Sequence, residues 1–283
     1  MQKLLLSILL ILYLVSCKLE KNTEIKVATF NIRYENSDDA PNTWDNRVKH
    51  VCKFIKENNL SVIGFQEVLF SQLQDMKENL PQYEFIGVGR DDGKTKGEYA
   101  SIAFLKDSFE KIDDNTFWLA ENPDSIGVLG WDAKCTRIAT WVKLKDKENG
   151  KIFMLVNTHF DHIGTEARKN SALLIINKIK EIVGNNPALL TGDFNVTDDS
   201  DAYRTITTNN FILKDAHKIA AEITGSEYTY HNFGKNQENE RTKIDFIFVT
   251  PNITVFKSEI PHTQIDSVLY LSDHNPQIVN VAF

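Results

Sequence analysis

The chain has 283 residues, 42% hydrophobic, 25% charged and 10% aromatic, proportions of an ordinary folded protein that exclude disordered and fibrous classes. Lys and Arg number 32 against 39 Asp and Glu, a net charge of −7. No basic stripe is then available to neutralise a nucleic-acid backbone, and stable passive nucleic-acid binding is not expected. The 13 Gly and 7 Pro include no Gly/Pro-rich linker, so a single large domain is expected.

In chain order, Lys3 is followed by an apolar run from Leu4 to Val15, shorter than the ~20 residues of a spanning helix but the length of a secretory signal core. Residues 1–16 are therefore read as a cleaved signal peptide. The segment Leu14-Val15-Ser16-Cys17 resembles the lipobox of bacterial lipoproteins. That resemblance implies a lipidated Cys17, a polar tether over residues 17–24 and attachment in the cell envelope through a lipid anchor only; a plain signal peptide with an incidental Cys is the alternative. Removing residues 1–16 deletes only Lys3 from the charge count and moves −7 to −8, so the acidity belongs to the domain. Cys52 and Cys135 are too few for a disulfide framework and lack zinc spacing; both are read as buried thiols.

Strands are expected at Ile25 to Ile32, Ser61 to Gln66, Tyr83 to Gly87, Tyr99 to Leu105, Phe109 to Trp118 and Arg137 to Leu144. Five more follow at Ile152 to His159, Ala188 to Asp193, Ile244 to Val249, Thr254 to Ile260 and Gln277 to Val281. Helices are expected at Trp44 to Asn58, Phe70 to Leu80 and Thr165 to Val183, the last apolar through Ala172, Leu173, Ile176, Ile179 and Val183. These strands are too many for one open sheet. The class is α/β (α+β), a four-layer sandwich of two packed mixed β-sheets flanked by helices, spanning residues 25–283.

Several apolar strands end in polar residues able to hold a metal or a phosphate: Asn31, Glu67, His159 with Asp161, and Asp193 with Asn195. Loops at one edge of a sheet converge, so these imply one shared site. Asp245 and Ser272-Asp273-His274 add hard oxygen donors for magnesium, with manganese or calcium as alternatives, and a histidine able to carry charge near neutral pH. The mixture suits hydrolysis of a phosphate ester.

Six blocks occur in order: Thr29-Phe30-Asn31-Ile32-Arg33, Gln66-Glu67-Val68, Asn157-Thr158-His159-Phe160-Asp161-His162, Thr191-Gly192-Asp193-Phe194-Asn195, Ile244-Asp245-Phe246-Ile247 and Ser272-Asp273-His274. Together they resemble the endonuclease/exonuclease/phosphatase superfamily. The resemblance implies a divalent ion at Glu67 with Asn31 and Asp273, and a water and a phosphate oxygen held by Asp193 and Asn195. It further implies His274 polarised by Asp245, and His159 facing the phosphate or the leaving group. Glu98, in Gly97-Glu98-Tyr99-Ala100, resembles a Glu that pairs with the histidine at 159, and Arg137 resembles a phosphate-contacting arginine, an edge salt bridge being its alternative. Either Asp193 or His274 could take the proton from water; unperturbed side-chain chemistry favours His274.

His162 and Arg168 are read as structural more than as a second anion site, and His231 as lying in a loop able to reach the site. The acidic doublets Asp38-Asp39, Asp91-Asp92, Asp113-Asp114 and Asp198-Asp199 are read as surface turns without ligand roles. A small or glycan-linked phosphate ester is the favoured substrate. A secreted nuclease or other phosphodiesterase, served by a local basic loop at Lys94 to Lys96, is the alternative, and a non-catalytic surface binding protein the third reading.

Overall fold

The computed structural model describes residues 24–211 and 213–283; the expected signal segment and residues 17–23 of the tether lie outside the described residues. The long apolar runs form β1 (Ile25–Asn31), β2 (Val62–Gln66), β3 (Tyr83–Ile86), β4 (Ile102–Leu105), β5 (Phe109–Trp118), β6 (Ile138–Asp146), β7 (Ile152–His159) and β8 (Ala188–Asp193). Short β9 (Lys214–Asp215) and β10 (Glu222–Gly225) precede β11 (Asp245–Val249), β12 (Thr254–Ile260) and β13 (Gln277–Ala282). The helices are α1 (Trp44–Glu57), α2 (Phe70–Asn79), α3 (Thr165–Val183), α4 (Asp201–Thr208) and α5 (Ala216–Ile219). One sheet has the order β10-β12-β13-β1-β2-β4-β3 and the other β5-β6-β7-β8-β11-β9. The two mixed sheets pack face to face between outer helices, which is the four-layer sandwich.

Alternate side chains of the central strands fill the space between the sheets, Val27, Val62 and Val279 from one and Leu155, Leu189 and Ile247 from the other. The opposite faces are also covered. Ala28, Ile63 and Phe65 meet Val51, Cys52 and Ile55 of α1 and Leu73 and Met76 of α2, while Val156, Leu190 and Phe248 meet Ile175, Ile176 and Ile179 of α3. Burial on both faces is why these strands read as nearly unbroken apolar strings.

Three local expectations change. Leu173 is 42% exposed and Ile175 buried, because the stripe of α3 steps through Ala172, Ile175, Ile176, Ile179 and Val183 at 3.6-residue spacing and leaves 173 outside it. The expected strand from Tyr99 begins only at Ile102; Tyr99 forms an isolated bridge with Val68 instead. The short α4, α5, β9 and β10 were not expected; α4 starts where Ser200 Oγ accepts from Tyr203 N, an N-cap that satisfies one otherwise orphaned donor.

Strand direction places the site. β1 and β2 are parallel, as are β7 and β8, and β11 runs antiparallel to β8 and β13 to β1. The ends of the first four therefore coincide with the beginnings of the last two, and the register sets Asn31 beside Gln66, His159 beside Asp193, and Asp193 beside Asp245. Just beneath this edge a buried polar seam joins the sheets: Gln66 Nε2 donates to Asn157 Oδ1 at 2.6 Å and Asn157 Nδ2 to Phe65 O at 2.7 Å. Gly64 is required there, since a Cβ would run into Thr191 Oγ1 and Asn157 Oδ1.

Candidate active site

Asp193 stands at the centre of the edge, almost wholly buried. Its Oδ2 accepts from Asn31 Nδ2 at 2.9 Å and lies 3.6 Å from His159 Nε2 and 3.8 Å from His274 Nε2, while Oδ1 accepts from Asn195 N at 3.0 Å. His274 Nδ1 meets Asp245 Oδ2 at 2.8 Å, an arrangement that fixes the ring and aims Nε2 into the cleft. Ser272 Oγ donates to Asn31 O at 2.7 Å and ties the last loop to β1. Asn195 reaches across to His159 Nε2 and to Phe160 O, both at 3.0 Å. Glu67 and Asn195 have φ of 60° and 49°, a left-handed backbone uncommon outside glycine that the surrounding contacts hold at the strand ends.

Two arms extend from this centre within a cleft of about 520 Å³. The acidic arm holds Glu67, whose Oε1 accepts from Asn31 Nδ2 at 3.0 Å and whose Oε2 accepts from Tyr34 N at 3.2 Å, together with Asp273. Arg33 lies 3.8 Å from Glu67 and 4.0 Å from Asp273 and is held by Asp39 at 2.8 Å. The basic arm holds Arg137, buried, with Nε and Nη1 lacking hydrogen-bond partners, Arg90, and His162, whose Nδ1 is 3.4 Å from Arg137 Nη2. Glu98 lies between them, taking Arg90 Nη1 at 2.8 Å and standing 3.7 Å from His159 Nδ1.

Electrostatics sharpen the picture. Burial, reinforced by Asp245, pushes the Asp193 carboxyl up to about 7. Burial alone would lower His274, but Asp245 outweighs it, with Asp273 and Asp193 adding, and the imidazole is raised to about 10. Burial, then Arg137 and Arg90, holds His159 well below the ordinary histidine value. Burial, with Glu67 adding, raises both Asp273 and Glu98. A divalent ion beside these buried carboxyls would favour their ionised forms.

The donor set fits such an ion. Glu67 and Asp273 flank Arg33 at 3.8 and 4.0 Å and offer oxygen donors suited to a hard cation, and ligand atoms of Glu67, His159 and Asp193 lie within 4.8 Å of one another. Asn31 turns its amide nitrogen to Glu67 and Asp193, while its oxygen takes Arg33 N at 2.9 Å. In this arrangement Asn31 holds the carboxylates, and ligation through its oxygen would require the amide to turn over.

Asn31, Glu67, Glu98, Arg137, His159, Asp193, Asn195, Asp245, Asp273 and His274, all expected at the site, come together at this edge, whereas Asp161, grouped with them in the sequence, has both carboxylate oxygens taken by backbone N–H groups of Lys134, Cys135, Ile163 and Gly164. Other readings are corrected. Cys135 is half-buried and lines the cleft, since it lies in the loop that carries Arg137. Asp39 is no surface turn but the buried partner of Arg33, and Asp113 and Asp114 are exposed residues of β5. His231 does not face the cleft; it lines a neighbouring cavity. Arg168 donates to Asp161 O at 3.1 Å, as a structural group would. Arg33, Arg90 and Tyr230 line the cleft without having been singled out; for Arg33 the signal was its place two residues after Asn31, whereas Arg90 had none.

Oxygen donors for a hard cation on one arm and unpaired donors for an oxyanion on the other, with a buried carboxylate between them, make a site for phosphate-ester chemistry. Residues 28–274 match the model of the Endonuclease/Exonuclease/phosphatase family, and the chain belongs to that family. Its structure is similar to that of an endonuclease/exonuclease/phosphatase from Bacteroides vulgatus, at 60% identity and a TM-score of 0.90 over 92% of this chain and 99% of that one. It is also similar to the mannosyl-6-phosphatase of Bacteroides thetaiotaomicron VPI-5482, at 36% identity and a TM-score of 0.86 over 92% of this chain and 100% of that one. A probable RNA exonuclease of Saccharomyces cerevisiae is 26% identical over 212 residues, 70% of this chain and 41% of that protein.

Proposed function

We propose that the protein hydrolyses phosphate monoesters on sugars or glycans with a divalent ion, magnesium first and manganese or calcium as alternatives. The observation that carries this reading is the placement of Asp193 between an oxygen-rich arm and an arm whose buried Arg137, 3.8 Å from Glu98 and 3.9 Å from Asp161, keeps N–H groups free of hydrogen bonds. The 36% identity to a mannosyl-6-phosphatase over nearly the whole of both chains supports the sugar phosphate.

Glu67 and Asp273, with Asn31 beside them, would hold the ion, which when bound neutralises phosphate oxygens and the leaving oxygen. Arg137, whose Nε and Nη1 make no hydrogen bond, meets the phosphate as a charged donor. His274, kept cationic by Asp245, donates to a phosphate oxygen through Nε2. A cationic imidazole has no lone pair to accept a proton, so Asp193 takes the proton of the attacking water, with Asn195 orienting that water; this reverses the preference that unperturbed chemistry gives. His159 is kept neutral and acts as a hydrogen-bonding wall, not as the acid that protonates the leaving group. Glu98 sets the positions of Arg90 and Arg137.

A panel of sugar monophosphates, a phosphodiester and plasmid DNA, each with metal or chelator, tests the reading. Metal-dependent phosphate release from sugar phosphates without plasmid nicking is expected. Nicking or diester cleavage would instead favour the nuclease reading, to which the yeast relative lends support; metal binding without turnover on any substrate would favour a binding protein. We also propose that Cys17 is lipidated after removal of residues 1–16; failure of a Cys17→Ser variant to change membrane recovery or fatty-acid labelling would refute it.

A further inference from the structure

Behind the catalytic edge lies a second, separate cavity of about 110 Å³, room for a small polyatomic ion as well as for water. His231 and Asn275 line it, each at least 97% buried, and His231 Nε2 and Asn275 Nδ2 have no hydrogen-bond partner. Both are donors. His231 Nδ1 accepts from Gly234 N at 3.0 Å, which places the ring proton on Nε2, and Asn275 Oδ1 accepts from Thr263 N and Oγ1 at 3.1 and 2.9 Å, which leaves its amide nitrogen facing the space. Arg241, its guanidinium donating to Tyr228 Oη at 2.9 Å, and His262 complete the polar wall, and none of the described residues lining the cavity is acidic.

We propose that this cavity is an accessory site for a small oxyanion of the phosphate or carboxylate type. Buried donors without acceptors are costly, and an anion's oxygens satisfy both at once while Arg241 supplies the opposite charge. The site adjoins the chemistry without sharing it. His231 N donates to Asp273 O at 3.0 Å and Asn275 N to Thr229 O at 2.7 Å, so an anion bridging the two side chains ties the loop of His231 to the segment that carries Asp273 and His274.

The test is a titration of the full-length protein with inorganic phosphate, and separately with acetate, in chelator, following the histidine ring resonances. Saturable shifts of His231 and His262 are expected, retained in Arg137→Met, where the catalytic cleft is impaired. Arg241→Leu and the near-isosteric Asn275→Asp, which swaps a donor for an acceptor, should each weaken these shifts on the order of tenfold or more. Phosphate without acetate would assign a tetrahedral anion and both together a general oxyanion. Shifts confined to His159 and His274, or none at His231 with either anion, would overturn the proposal and leave the cavity to water.

Discussion

The Asp245 carboxylate matters through one hydrogen bond. It holds His274 Nδ1 at 2.8 Å, and it is the main group that keeps the imidazole cationic against its own burial. Asp245→Asn should therefore lower turnover ~10²-fold or more with the melting temperature little changed, and His274→Ala should fall at least as far; parallel steady-state kinetics and thermal melts check both. Asp161 is a structural counterpart. Burial opposes its ionisation, yet backbone N–H groups of Gly164, Cys135, Ile163 and Lys134 prevail and hold it at about 2. A depressed folded-state value means this stabilisation is present above the ordinary value of 3.8 and lost as pH falls through about 2. Asp161→Asn should cost ~1–3 kcal/mol near neutrality and flatten that part of the acid limb, as read from urea midpoints against pH. The central residues were legible in the sequence because each ends an apolar strand with a polar side chain. Asp39 and Arg90 were not, since a doublet in a turn and an arginine before a glycine-rich loop look the same whether they pair in a cleft or face water.

Among the elements, the long helices and the apolar strands were legible and the shortest, largely polar pieces were not. α3 was expected with the bounds it has, and only the phase of its stripe was misjudged, at Leu173. Ile176→Ala should cost ~2–4 kcal/mol through the cavity it leaves, while Leu173→Ala should stay within ~0.5 kcal/mol; denaturant melts of the two variants distinguish the stripes. α4, α5, β9 and β10 escaped because two to eight residues give too little periodicity to separate helix from strand. They form through tertiary contact: Tyr203 of α4 is buried against Phe246 and Phe248 and donates to Asp215 at the end of β9.

At the scale of the molecule, two sheets meeting at one edge bring together residues from Asn31 to His274, and that convergence follows from strand direction more than from any one motif. Glu67→Gln should thus weaken metal dependence without unfolding the chain, raising the metal concentration for half-maximal rate, because the fold places the acidic arm whether or not it is charged. The most direct test of the whole arrangement is hydrolysis of mannose 6-phosphate in ¹⁸O-labelled water, with magnesium or with chelator. Attack by a water held at Asp193 predicts magnesium-dependent release of phosphate carrying the label, with unlabelled sugar, and a higher magnesium requirement for that release in Glu67→Gln. Label in the sugar hydroxyl, or equal turnover in chelator, would contradict it.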